Sequence, residues 1–186
     1  TNITVAPLRY LLAEVHRHIP IVIHNVAFEL PVLFNAWGVN WSGNGFSGFL
    51  PNVLDTKLEA SYVNENGSLG LKSLSREWLD YVQTDYQTVT QGRKMSQMTA
   101  AETFDYGTDD TICTAALHNV FETIMRLENT WNTYLDVEIA PAYLTAQAFC
   151  RGVPISLEKV NELEAIDLKL YEQSEAVLMP YLVAQG

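Results

Sequence analysis

The run Ile19-Pro20-Ile21-Val22-Ile23-His24 constrains this chain more than any other stretch. Being short, β-branched and unalternating, it predicts a strand over residues 19–24, buried on both faces of an α/β sheet. Pro7 opens a predicted helix ahead of it, residues 8–18, with Leu8, Leu11, Leu12 and Val15 at helical spacing, and Pro20 stops that helix. Asn25 suits the N-cap of a following helix, residues 26–37, which Gly38 closes. Ligands gather where such a strand gives way to its helix. Glu29 stands there, one turn in.

The remaining pattern is helix-rich. Residues 43–48 read as loop and 49–56 as a second short strand. Residues 64–70 form a turn-rich loop before a helix over 71–81, with Leu71, Leu74 and Trp78 on one face. Residues 84–92 are polar and poorly periodic, hence expected to be exposed. The longest helical region is 99–129, with a break expected near Gly107. A boundary is expected near 130–137, dividing the chain into 1–130 and 131–186. Beyond it come an apolar helix over 138–150 and the turn RGVPIS. Ser156 then caps an amphipathic helix towards Leu182, with Val160, Leu163, Ile166 and Leu170 on its buried face.

Composition narrows the function classes. At 186 residues and 48% hydrophobic content, the chain can bury a core. No apolar run approaches the ~20 residues of a membrane span, and TNITVAPLRY does not read as a signal peptide. Cys113 and Cys150 sit in apolar helical contexts, so free thiols in a reducing, cytoplasmic compartment are expected. A net charge of −11 argues against the whole chain being a nucleic-acid clamp but not against a nuclease, whose active site must itself be acidic. Lys57, Lys72, Arg76, Arg93 and Lys94 form a small basic group, read as scattered solvated charges.

Two motifs carry possible chemistry. Glu29 can be a first-turn acid favoured by the helix dipole, or a ligand at a strand end. Tyr106 and Asp110 lie one turn apart on one helical face, while Asp109 points about 100° away towards solvent. Further along, Ile112, Ala116 and Val120 are expected inside, His118 and Asn119 outside. Taken alone, each motif is better explained by a helix-end or surface acid. A metal-dependent phosphodiesterase needs hard oxygen ligands around two divalent ions about 4 Å apart, and two carboxylates are too few. Asp136-Val137-Glu138 has the form of a further pair, but its place at a helix start argues against that role.

Four segments, in order, resemble one family. HNVAFE resembles the Asn-x-x-aromatic-acid motif of DnaQ-like exonucleases. LDTKLEASYVNENGSLGLKSLSREWL is similar to the central segment of the proofreading domain of family A (DNA polymerase I-like) DNA polymerases. FDYGTDDTICTAALHNVF resembles the Tyr-x-x-x-Asp motif of the DEDDy type, and EIAPAYLTAQAFCRGVPIS the link from exonuclease to polymerase. The resemblance implies a ribonuclease H-like α/β fold, lacking its first strands and followed by the helical start of a polymerase domain. It implies a 3′→5′ exonuclease acting in DNA replication with two Mg²⁺ or Mn²⁺ ions. Asp110 would ligate the catalytic metal. Glu29, where the family usually has Asp, would serve the second metal. Tyr106 would hold the attacking water, Asn25 would lie near the terminal nucleotide, and Asp55 would be structural.

The implied partners are a single-stranded DNA 3′ end and the rest of a polymerase chain, in a bacterial or phage-infected cell. No membrane partner is implied. The family's Asp-x-Glu motif should precede Ile19 and is not found there, so the chain is expected to begin after it. By itself the chain is then expected to show little nuclease activity and no DNA synthesis. An RNase D-like exoribonuclease and a degenerate exonuclease-fold binding module are the alternatives.

Overall fold

The computed structural model describes residues 18–37 and 52–185. It falls into two compact units, Thr1–Arg151 and Gly152–Gly186. The expected helix over 8–18, apart from His18, which lies in a turn, falls outside the described residues; so do Gly38, the loop at 43–48 and residues 49–51.

Among the described residues the first unit has two short parallel strands, β1 (Ile21–Ile23) and β2 (Val53–Asp55), with Ile21 opposite Val53 and Ile23 opposite Asp55. Between them runs α1 (Val26–Trp37). Strand residues alternate between faces, and β2 buries both. Val53 packs with Val26, Leu30, Tyr143 and Ala146, whereas Leu54 packs with Met125, Trp131 and Tyr134. The expectation that β1 is buried on both faces is corrected: Ile21–Ile23 are each half-buried, because this strand also lines a cavity.

Thr56 does not extend β2 but opens α2 (Thr56–Val63), an element missed in the sequence. After the 64–70 loop comes α3 (Leu71–Leu79), shorter than expected because Asp80 ends it in the left-handed conformation, φ 51°. The exposed loop expected over 84–92 contains a helical turn, α4 (Tyr86–Thr90), with Thr90 buried. Next comes α5 (Phe104–Leu127), which runs through Gly107 without a break. Its buried residues Cys113, Thr114, Leu117, Phe121 and Met125 form one stripe. That corrects the expected facing: Ile112 is 62% exposed, and His118 turns inwards. The register is set by α2 and α3, against which Leu117 and Phe121 pack with Ala60 and Leu74. Each of the buried Leu and Phe side chains stabilises by roughly 1.5–3 kcal/mol.

Helical structure continues past residue 130 through α6 (Trp131–Thr133), a π-helical stretch (Tyr134–Ile139) and α7 (Ala140–Arg151). Tyr134 and Tyr143 hydroxyls accept from the amides of Asp55 (2.7 Å) and Val53 (3.2 Å). The compact unit therefore extends to Arg151, beyond the boundary drawn at 130. Gly152, at φ 68°, supplies the left-handed turn that ends α7.

The second unit is one helix, α8 (Leu157–Gln185), capped by Ser156 Oγ accepting from the Lys159 amide at 3.3 Å. Its Val160, Leu163, Ile166 and Leu170 are exposed rather than buried. Cys113 is buried, Cys150 is partly so, and both are free thiols. No helix among the described residues is long and apolar enough to cross a membrane.

Candidate active site

The turn from β1 into α1 is held by a residue from the neighbouring strand. Asn25 takes the N-cap position, its carbonyl accepting from Glu29 N at 3.1 Å, and adopts φ 74°, a left-handed geometry that Asn tolerates. Its side chain does not cap the helix as expected: Asn25 Oδ1 instead accepts from Lys57 Nζ at 3.4 Å. Asp55 caps in its place. One carboxylate oxygen accepts from the amides of Asn25 and Lys57, both at 2.9 Å, and the other from the Val26 amide at 2.8 Å. Buried Asp55 thus satisfies an amide in the first turn of both α1 and α2.

That turn directs Glu29 into a cavity of about 720 Å³ between β1, the start of α3 and the N-terminal half of α5. Asn25, Glu29, Tyr106 and Asp110 all line it, as do His24 and Lys72. Burial raises the Glu29 pKa, and the Asp110 charge raises it further. The Asp110 pKa is also raised, by burial first and then by Asp109, while Lys72 and a hydrogen bond from Gln83 pull it back. Burial and the Asp110 charge raise the Tyr106 phenol as well. His24 is held below its ordinary pKa by burial, its Nδ1 lying 2.9 Å from Thr56 Oγ1.

Asp109 is not the plain solvent-facing acid expected. It accepts from Tyr81 OH at 2.7 Å, Thr84 N at 2.8 Å and Thr84 Oγ1 at 2.5 Å, bonds that lower its pKa. Tethered in this way, the segment 81–84 brings Gln83 Nε2 to 3.2 Å from Asp110 Oδ1. Gln83 is buried and was missed: a polar residue in an aperiodic stretch carries no burial signal. Lys72 was missed as one of the scattered charges. Its neighbours in that group are dispersed, Lys57 reaching Asn25 and Arg93 pairing with Glu102 at 2.9 Å. Asp136 and Glu138 do not line the cavity; Glu138 accepts from Tyr62 OH at 3.4 Å. Among the described residues no group of three or more His, Cys, Asp or Glu side chains converges as a metal cage.

A search of curated proteins finds no match to the chain. A family model described as 3′-5′ exonuclease, that of the A-type DNA polymerases, matches residues 2–128. With most of its length covered by that model, and the acids and tyrosine of two distant segments lining one cavity, the chain belongs to the 3′-5′ exonuclease family of A-type DNA polymerases.

Proposed function

We propose that the cavity is a proofreading site, which removes the 3′-terminal nucleotide of a single-stranded DNA end as a deoxynucleoside monophosphate. The observation that carries this reading is the convergence of Glu29, Tyr106 and Asp110 on one cavity in a chain of this family. A ribonuclease H-like fold, and polymerase helices following it, belong to the same proposal.

The donor set suits a hard divalent cation. Both carboxylates are half-buried, both resist ionisation, and neither is in an ion pair among the described residues. Asp110 and Glu29 would hold Mg²⁺ or Mn²⁺ as part of a larger ligand set. When bound, two such ions supply a hydroxide at neutral pH and neutralise charge on the scissile phosphate. The chain's own groups do the rest. Gln83 fixes the Asp110 carboxylate, and Lys72 favours its ionised form. Tyr106, kept protonated by burial and by Asp110, offers a phenol O–H and oxygen that orient water. Asn25, on the cavity wall, offers its amide to the terminal nucleotide.

A non-catalytic exonuclease-fold module is the second reading, favoured by the small ligand set among the described residues. The test uses a labelled oligonucleotide and Mg²⁺. In a polymerase carrying this domain with a full carboxylate set, Asp110→Ala is expected to slow 3′-end degradation. The loss should be at least the ~100-fold that weakened metal support costs, with nucleotide incorporation spared. Undiminished degradation would overturn the assignment. The chain alone is expected to bind 3′ ends with little turnover, and robust monophosphate release by it would remove the second reading.

A further inference from the structure

The cavity holds two carboxylates, yet its proposed substrate is itself an anion. Among its described lining residues Lys72 is the sole Lys or Arg. Three contacts define the position of the ammonium. It donates to Thr84 O at 2.7 Å, lies 4.9 Å from the centroid of the Tyr106 ring, and stands 3.9 Å from Asp85 Oδ1. The last distance exceeds the ~2.7–2.9 Å of a charge-assisted hydrogen bond. Asp85 is also engaged elsewhere: its Oδ2 accepts from the amides of Gln87 and Thr88 as the cap of α4. An ammonium carries three donors, and Thr84 takes one. The Lys72 side chain is 38% exposed, and two of its donors make no hydrogen bond among the described residues.

We infer that Lys72 is a substrate-contacting residue of this site, donating to a non-bridging oxygen of the phosphodiester nearest the 3′ end. The inference rests on the exonuclease reading and adds a residue that neither motif contains. A phosphate entering between Glu29 and Asp110 meets like charge, and a cation on the cavity wall offsets that repulsion. The Tyr106 face and Thr84 O also restrict the lysine stem beforehand, so less rotamer freedom is lost on binding. The competing role is a staple that merely ties α3 to residues 81–85.

Affinity for two probes separates these roles. The full 186-residue chain is titrated, with Ca²⁺ replacing Mg²⁺, against 5′-labelled oligothymidylates. Their 3′-terminal linkage is either a phosphodiester or an uncharged methylphosphonate. The wild-type chain is expected to favour the charged probe by about tenfold. Lys72→Met should cut that ratio by about threefold, the remainder coming from Ca²⁺ at Glu29 and Asp110, and Lys72→Arg should keep most of it. Because both affinities come from one sample, the ratio is insensitive to any loss of folded protein. A wild-type ratio retained in Lys72→Met, or equal weakening on both probes, would overturn the assignment while leaving the exonuclease reading intact. A wild-type chain that binds a free 3′ end no better than a circular oligonucleotide would overturn the exonuclease reading, and the role of Lys72 with it.

Discussion

Glu29 and Glu59 are both glutamates drawn out of water, and the fold treats them in opposite ways. Glu59 is fully buried between α2 and α5, where Oε1 meets His118 Nδ1 at 2.9 Å. Behind His118 the network continues: Nε2 lies 3.4 Å from Glu122, Glu122 binds Arg126, and the Arg126 guanidinium lies 4.8 Å from the Trp131 ring. Among the described residues Glu29 has no such support, and it shares its cavity with a second acid. Buried Glu59 is met by a cation within the fold through Oε1, while its buried Oε2 accepts no hydrogen bond among the described residues. A charge left uncompensated at a cavity wall is available to a ligand, and here that difference separates core from site.

The largest expected effect lies on the compensated side. His118→Leu would leave Glu59 buried without its cation, and breaking such a pair costs about 3–5 kcal/mol. Urea unfolding of the variant should show a loss of that size. In the same assay Asp110→Asn should change stability by no more than about 0.5 kcal/mol, because no ion pair is broken. Equal losses from the two variants would erase the distinction between the regions.

The same pair sets the sign of a pH dependence. Burial alone would lower the His118 pKa, but the hydrogen bond and charge of Glu59, aided by Glu122, outweigh it and hold the pKa above 6.5. Burial likewise raises Glu59 above its ordinary 4.5, against the pull of His118. A folded-state pKa above the unfolded one gives stability that is complete below the unfolded pKa and lost as pH rises through the folded one. The Glu59 contribution begins to fade above 4.5, and that of His118 above 6.5. The wild-type chain should therefore lose stability to urea as pH rises from 6.5 through the folded-state pKa of His118, and His118→Gln should lack most of that slope. A wild-type stability that rises across the interval would contradict the assignment.

Much of this contrast was hidden in the sequence, for physical reasons. The start of α1 at Val26 was legible from Asn25 and the β-branched run before it. The residue that caps the helix was not, because Asp55 reaches it from β2, and no local pattern reports a contact across a sheet. The helical facing of α5 was displaced for a related reason. Ile112 looks more apolar than His118, yet packing against α2 and α3 chose the stripe through Leu117 and Phe121, and that rotation carries His118 onto Glu59. Glu29, Tyr106 and Asp110 were legible because their spacing within each motif is local and their order matches a family. Gln83 and Lys72 reach the same cavity through tertiary contacts alone.

Asp109 offers the finest test of the contrast, since it adjoins Asp110 but behaves like Glu59, with its charge met by protein donors. If Asp109 tethers the segment that carries Gln83, Asp109→Ala should free the Thr84 amide, which donates to it at 2.8 Å. Hydrogen exchange in a peptide covering residues 81–90 should then quicken. Peptides around Phe121 and Met125, deep in the core, should exchange at the wild-type rate. On the proposed reading the 3′-end affinity should fall only a few-fold, because Gln83 is hydrogen-bonded to Asp110 and acts through it. Unchanged exchange at 81–90 would mean that the loop is held by its own packing. Asp109 would then return to the surface role its position in the sequence suggests.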